Sequence, residues 1–208
     1  VAGMNVNIWD VNDAIQALLP GIVKDSKKVL FNGNGYAEEW HKEAEKRGLP
    51  NLKNTVEVLP VITRKDTVEL FTTYKVYTEK ELSSRFNILS EAYVKAVNIE
   101  ALTTLLMAKS QILPAALRYQ REVGESIAAA KAAGAASPAG LESFAGLVST
   151  ITEFTSAITK LEKAAGHHAD GGPYDHAKQM KEEVLPAMLD LRKVGDKLET
   201  RIADDLWP

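Results

Sequence analysis

Apolar residues recur at steps of three and four along most of this chain, the spacing of one face of an α-helix. The longest run follows Thr78-Glu79-Lys80-Glu81, a capping box in which the threonine hydroxyl serves one free amide and Glu81 reaches back to another. Behind it Leu82, Phe86, Leu89, Tyr93, Val97, Ala101, Leu105 and Ala108 mark one buried stripe. Pro114 predicts a kink, because proline removes a hydrogen bond and crowds the preceding turn. The helix then resumes through Leu117 and Val123 to about Ala133. Some 35 helical residues would run about 50 Å, deeper than a small globule, so part of this helix is expected to project. Ser137 as N-cap and Pro138 in the first turn open the next helix. Its apolar face is Leu141, Phe144, Leu147, Val148, Ile151, Phe154, Ile158 and Leu161, and Gly166 ends it. A last helix carries Met180, Val184, Met188, Leu191, Val194, Leu198 and Ile202, with a bend predicted at Pro186.

Each of these helices has a stripe that needs a partner, and the loops between them return the chain, so residues 78–208 read as an antiparallel bundle with long kinked helices. The pattern over residues 1–77 is shorter and more broken. Asp10 or Asn12 is suited to cap a first helix bearing Val11, Ile15, Leu18 and Leu19, which Pro20-Gly21 interrupts. Lys28-Val29-Leu30-Phe31 is apolar and β-branched and predicts a strand near 28–31, ended by Asn32-Gly33-Asn34-Gly35. Ala37 to Arg47 reads as a short charged helix closed by Gly48. Asn54 or Thr55, and then Asp66, start two brief helices. The fold class is therefore mainly α: a mixed segment over 1–77 with a strand, then a long-helix bundle over 78–208.

Composition narrows the classes of function. The 208 residues carry a net charge of -3 and are 45% hydrophobic, enough for one good core. With no basic field, nucleic acid and anionic membranes are not expected partners. There are no cysteines, which removes disulfides, thiolate metal sites and a cysteine nucleophile and fits a reducing compartment. No apolar run is long enough to span a bilayer. The chain begins with Val1 and stops at Trp207-Pro208, and both ends are expected to be cuts in a longer polypeptide.

Four groupings carry candidate chemistry. Asn32, Gly33, Asn34, Gly35 and Tyr36 form a turn whose amides could face a phosphate at the start of the following helix. A phosphate loop shows a longer glycine pattern with Lys-Ser or Lys-Thr, so the residues favour a tight turn with positive φ at the glycines. His167, His168, Asp170 and His176 are the densest metal-ligand types, three imidazoles and a carboxylate that could hold zinc. They sit in a Gly-Gly-Pro loop without ordered spacing, which favours a solvated polar loop. Glu38 and His41 share a helix face, but a carboxylate-bridged di-metal bundle needs a second such pair and two further glutamates. Arg118, Arg121 and Lys131 make a basic stretch that pairing with Glu122 and Glu125 explains. No nucleophile elbow is present.

Several strings resemble type III glutamine synthetases: Phe31-Asn32-Gly33-Asn34-Gly35-Tyr36 followed by Glu38 to Leu52; Ser84-Arg85-Phe86 with Ile99-Glu100-Ala101; Met107-Ala108 with Gln111-Ile112-Leu113-Pro114-Ala115-Ala116; and Leu191-Arg192 through Asp204-Asp205-Leu206-Trp207-Pro208. Their order and spacing follow the family's carboxy-terminal helical region from about residue 9 onward, while the Ala/Gly stretch before Pro138 matches poorly. The resemblance implies a cytoplasmic parent enzyme that joins ammonia to glutamate with ATP and Mg or Mn. The family's acidic metal ligands, nucleotide-binding residues and arginine-rich motifs lie upstream, and none has a matching position here. No catalytic residue and no cofactor are therefore assigned to this chain. The implied partners are the upstream catalytic domain of the same polypeptide and identical subunits in stacked rings. The alternative is a free-standing helical protein-interaction module related to the synthetase only by descent.

Overall fold

Helix signals and helix breakers dictate the elements, which the computed structural model describes for residues 8–135, 137–167 and 169–208. The chain divides into two compact units, 1–53 and 54–208. In the first, α1 (Ile8–Ser26) begins before Asp10 and Asn12, so both expected caps lie inside the helix. It also runs through Pro20 without a break. Every residue from Val11 to Asp25 is exposed, so water can reach the carbonyl that proline leaves without an amide. The predicted strand is absent: Lys27–Val29 form a 3-10 turn, Leu30 is extended, and the described residues contain no strand. A strand needs a ladder partner. Here the carbonyls of Lys28 and Leu30 accept instead from the Arg47 guanidinium, at 3.2 and 2.7 Å. Helix α2 (Glu38–Lys46) supplies that arginine at its end, and Leu49 N–H closes it onto Ala44 O across Gly48 as the sequence predicts.

The second unit begins at Asn54, whose side chain accepts from Glu57 N–H to cap α3 (Thr55–Val58). A 3-10 turn (Leu59–Thr63) and α4 (Lys65–Thr73) follow, with Arg64 rather than Asp66 at the cap position. The 3-10 turn and α4 pack against α5, α3 packs on the 3-10 turn, and Val56 and Leu59 are buried. The structural division therefore falls at 53/54, ahead of the 77/78 boundary where the helix period lengthens. A change of period marks where a helix starts, whereas a unit is defined by what its side chains bury against.

Helix α5 (Glu79–Met107) has the expected box: Thr78 N–H donates to Glu81 Oε2 at 2.7 Å and Glu81 N–H to Thr78 Oγ1 at 3.3 Å. Of its expected stripe Leu82, Val97, Ala101 and Leu105 are buried, Phe86 and Tyr93 half-buried and Leu89 exposed, and Ser90 takes the inward position. The serine tolerates burial because its hydroxyl donates to Phe86 O four residues back. Neither long-helix proline acts as a simple breaker. Residues Ala108–Ile112 and Met180–Val184 form π turns, closed by Leu113 N–H to Ala108 O and Leu185 N–H to Met180 O. Pro114 and Pro186 then stand second in α6 (Leu113–Ala132) and α9 (Leu185–Glu199). The extra residue in the turn provides for the hydrogen bond that each ring cannot make, so the rod continues.

Helix α7 (Pro138–Gly166) opens on Ser137, whose Oγ accepts from Gly140 N–H at 3.1 Å. It returns against α6 and α9, and α8 (Pro173–Gln179) lies on α5. Side-chain register gives the directions. Glu153 meets Lys197 while Lys160 meets Asp190, and Gly124 faces Phe144 while Lys109 meets Glu162, so α7 is antiparallel to α9 and to α6. Phe86 stacks on Tyr174 and Glu57 pairs with Lys181 at the same end of the unit. The core is centred on α7, where Phe154 is 1% and Leu161 0% exposed, against Val184, Leu191 and Leu198. No described residue between Leu117 and Gly146 is buried, so the α6–α7 tip is held by pairwise packing, the projection expected from helix length. Arg121 pairs with Glu125 as anticipated.

Truncating Phe154 to alanine should lower unfolding free energy by about 3–5 kcal/mol, read from the midpoint of a urea transition monitored by helix circular dichroism. Glu81 has its pKa lowered by the backbone and hydroxyl hydrogen bonds of Thr78. Its contribution is therefore present above the unfolded glutamate range and lost as pH falls through the depressed folded value. Amide exchange at the first turn of α5 should accelerate across that acid window while the amides of Phe154 and Leu161 stay protected.

Candidate functional site

The turn at 32–36 is mounted by its neighbours. Phe31 stacks on Trp40 at 4.7 Å between ring centroids, Arg47 lies over the same indole, and its Nε binds Glu43 at 2.7 Å. Asn34 Oδ1 accepts from Tyr36 N–H at 3.0 Å, and Asn34 O from Ala37 N–H at 3.0 Å. Neither Gly33 nor Gly35 has positive φ, contrary to the expectation from sequence. Gly33 is needed for a different reason: a Cβ there would sit 2.6 Å from the Phe31 ring. The result is a stiff pedestal under Tyr36, which is 95% exposed. Anion capture is disfavoured electrostatically, since Glu38 and Glu39 occupy the first turn of α2 where an anion would lie. The chemistry of the turn is display of an aromatic phenol beside two asparagines.

The described histidines bind separate partners. His167 Nδ1 is 3.0 Å from Glu183 Oε2, whereas His176 Nε2 is 2.7 Å from Ala169 O, a contact that requires the proton on Nε2. Between them the buried Gln179 ties the loop, accepting from Ala169 N–H at 2.9 Å and donating to His167 O at 2.6 Å. Asp170 is exposed, and His168 lies outside the described residues. Among the described residues no three His, Asp or Glu groups gather as metal ligands. His41 likewise binds Asn51 Oδ1 at 3.1 Å, and Asn51 donates to Glu45, so this imidazole fastens the chain after α2.

What stands uncovered is apolar. On α1, Val11, Ile15, Leu18, Leu19, Ile22 and Val23 are all exposed, Leu18 by 62%. On α5, Ile88, Ile99, Leu102 and Leu106 form a second stripe beside the buried one, with Leu106 65% exposed. Reading α5 as one stripe missed this. The signal was present in the same three- and four-residue steps, offset by one position from Ala101 and Leu105. No described helix is long and apolar enough to cross a membrane.

Replacing Gly33 with alanine should drive the Phe31 ring off Trp40 and destabilise the first unit by about 1–3 kcal/mol. Changed tryptophan fluorescence with an unaltered Phe154 core would be the readout.

The chain resembles known proteins along nearly its whole length. It is 31% identical to a glutamine synthetase of Butyrivibrio fibrisolvens over 94% of the chain, and 29% identical to a type-3 glutamine synthetase of Dictyostelium discoideum over 90%. It is 28% identical to a glutamine synthetase of Bacteroides fragilis over 95%. The aligned segment is only 27–28% of the length of these relatives. Residues 14–131, more than half the chain, match the family model described as the glutamine synthetase C-terminal domain, spanning the displayed turn, the capping box and the first π turn. On that match the chain belongs to the glutamine synthetase C-terminal domain family.

Proposed function

We propose that this chain is the carboxy-terminal docking region of an ATP-dependent glutamate–ammonia ligase of type III. In this reading it acts by burying its uncovered helix faces against the catalytic part of the same polypeptide and against identical subunits, in the cytoplasm. The observation that carries the reading is α1, a helix of Ile8–Ser26 whose apolar stripe has no cover within the described residues. Six exposed aliphatic side chains on one helix are an unfavourable surface unless something buries them, at roughly 1.5–3 kcal/mol per side chain.

ATP and a divalent ion are implied for the whole enzyme. The residues described here do not fit that role: no carboxylate set converges, and the glycine turn opens onto two glutamates. The reading therefore assigns nucleotide and metal chemistry to parts of the enzyme outside the aligned segment. The displayed Tyr36 turn serves as a shaped contact for one of those parts.

Leu18→Asp with Ile22→Asp tests the docking role. Both side chains face solvent in this chain, so its own melting transition should change by no more than about 0.5 kcal/mol. In the enzyme of full family length the same pair should lower the assembled mass by light scattering and reduce ATP-dependent glutamine formation at least about tenfold. Parental mass and activity in that variant would defeat the docking role. Glutamine formation by the 208-residue chain alone would defeat the non-catalytic one.

A further inference from the structure

A cleft of about 780 Å³ opens between α6, the start of α7 and the turn after α9. That volume lies within the usual range for small-molecule sites. Arg201 and Glu142 both line it, yet neither takes part in any ion pair of the described residues, with each other or with a third group. The guanidinium lies across α7 over Gly146, where an alanine Cβ would come within 2.9 Å of Nη1. Backbone bonding fixes its base, with Arg201 N–H donating to Leu198 O at 2.9 Å. Ser143 and Tyr119 line the same cleft, as do the apolar Phe144 and the buried Leu147.

We propose that this cleft binds a small zwitterion with an apolar side group, of the α-amino acid class. Two opposite charges that share a cleft without neutralising one another are complemented by a molecule carrying both. The Arg201 fork takes a carboxylate through parallel N–H donors. Glu142 accepts from an ammonium, and Phe144 and Leu147 take the side group. A ligand with only one of the charges leaves the other protein group unmatched, so selectivity follows from the pairing. This site stands apart from the docking faces and does not depend on them.

Calorimetry on the 208-residue chain at pH 7 tests it, with L-leucine and L-phenylalanine as whole ligands and 4-methylpentanoate and 3-methylbutylamine as the two halves. Saturable binding of a whole ligand is expected, with each half at least about tenfold weaker. Arg201→Gln and Glu142→Gln should each weaken the whole ligand about tenfold or more. Both side chains are exposed, so the variants keep the fold, checked by helix circular dichroism. Gly146→Ala should weaken binding without altering charge, by displacing the guanidinium. No saturable heat at millimolar amino acid overturns the proposal, as does a half ligand that binds as tightly as the whole. Unchanged affinity in both charge variants overturns it too.

Discussion

Burial of one face of α7 is the constraint on which the second unit depends. Leu147, Ile151, Phe154, Ile158 and Leu161 project from a single helix into the space left by α6 on one side and α9 on the other. No other helix touches both neighbours so extensively, so the directions of the remaining rods follow from satisfying this one. The ion pairs Lys160–Asp190, Lys197–Glu153 and Lys109–Glu162 trace the same seams at the surface. They are exposed pairs, worth little each, and they report register more than they create it. The apolar contact beneath supplies the stability.

Two prolines lie in rods that this packing needs continuous, and a kink or bend is expected at each. The solution is the same at both. A π turn precedes Leu113-Pro114-Ala115 and another precedes Leu185-Pro186-Ala187, and in each the alanine after proline is buried. The surrounding residues also correspond, Ala108-Lys109 through Leu117 with Met180-Lys181 through Leu189. A small residue at that point lets the neighbouring rod approach closely, while the widened turn absorbs the missing amide. The recurrence gives the bundle two equivalent joints, each with its proline at the start of the next helix, where an amide is least needed.

Outside its core the chain presents distinct surfaces. The first unit spends its buried contacts on holding a turn: Phe31, Trp40 and Arg47 fix the backbone under Tyr36. Its long helix is exposed from Val11 to Asp25 among the described residues. The second unit closes its own core yet keeps an aliphatic stripe on α5 in water. Membership of a synthetase carboxy-terminal family, in a segment covering little more than a quarter of its relatives' length, is what turns those faces into the proposed contacts with the remainder of such an enzyme.

The sequence by itself determined the helices that matter. Periodicity located α5, α7 and α9, the Thr78–Glu81 box and Ser137-Pro138 placed the starts of α5 and α7, and Gly48 and Gly166 the ends of α2 and α7, because caps and stripes are local chemistry acting over three or four residues. The strings around Phe31 to Tyr36 and Gln111 to Ala116 identified the family for the same reason. Tertiary structure alone decided the rest. It turned the strand at 28–31 into a 3-10 turn, since Arg47, distant in sequence, claimed the carbonyls a ladder would use. It set a π turn directly before each of the two prolines at which a kink or bend was expected. It gave His167 and His176 different partners, put Arg201 and Glu142 on one cleft, and left α1 exposed from Val11 to Asp25. Each of these outcomes rests on contacts between residues far apart in the chain, which no local pattern records.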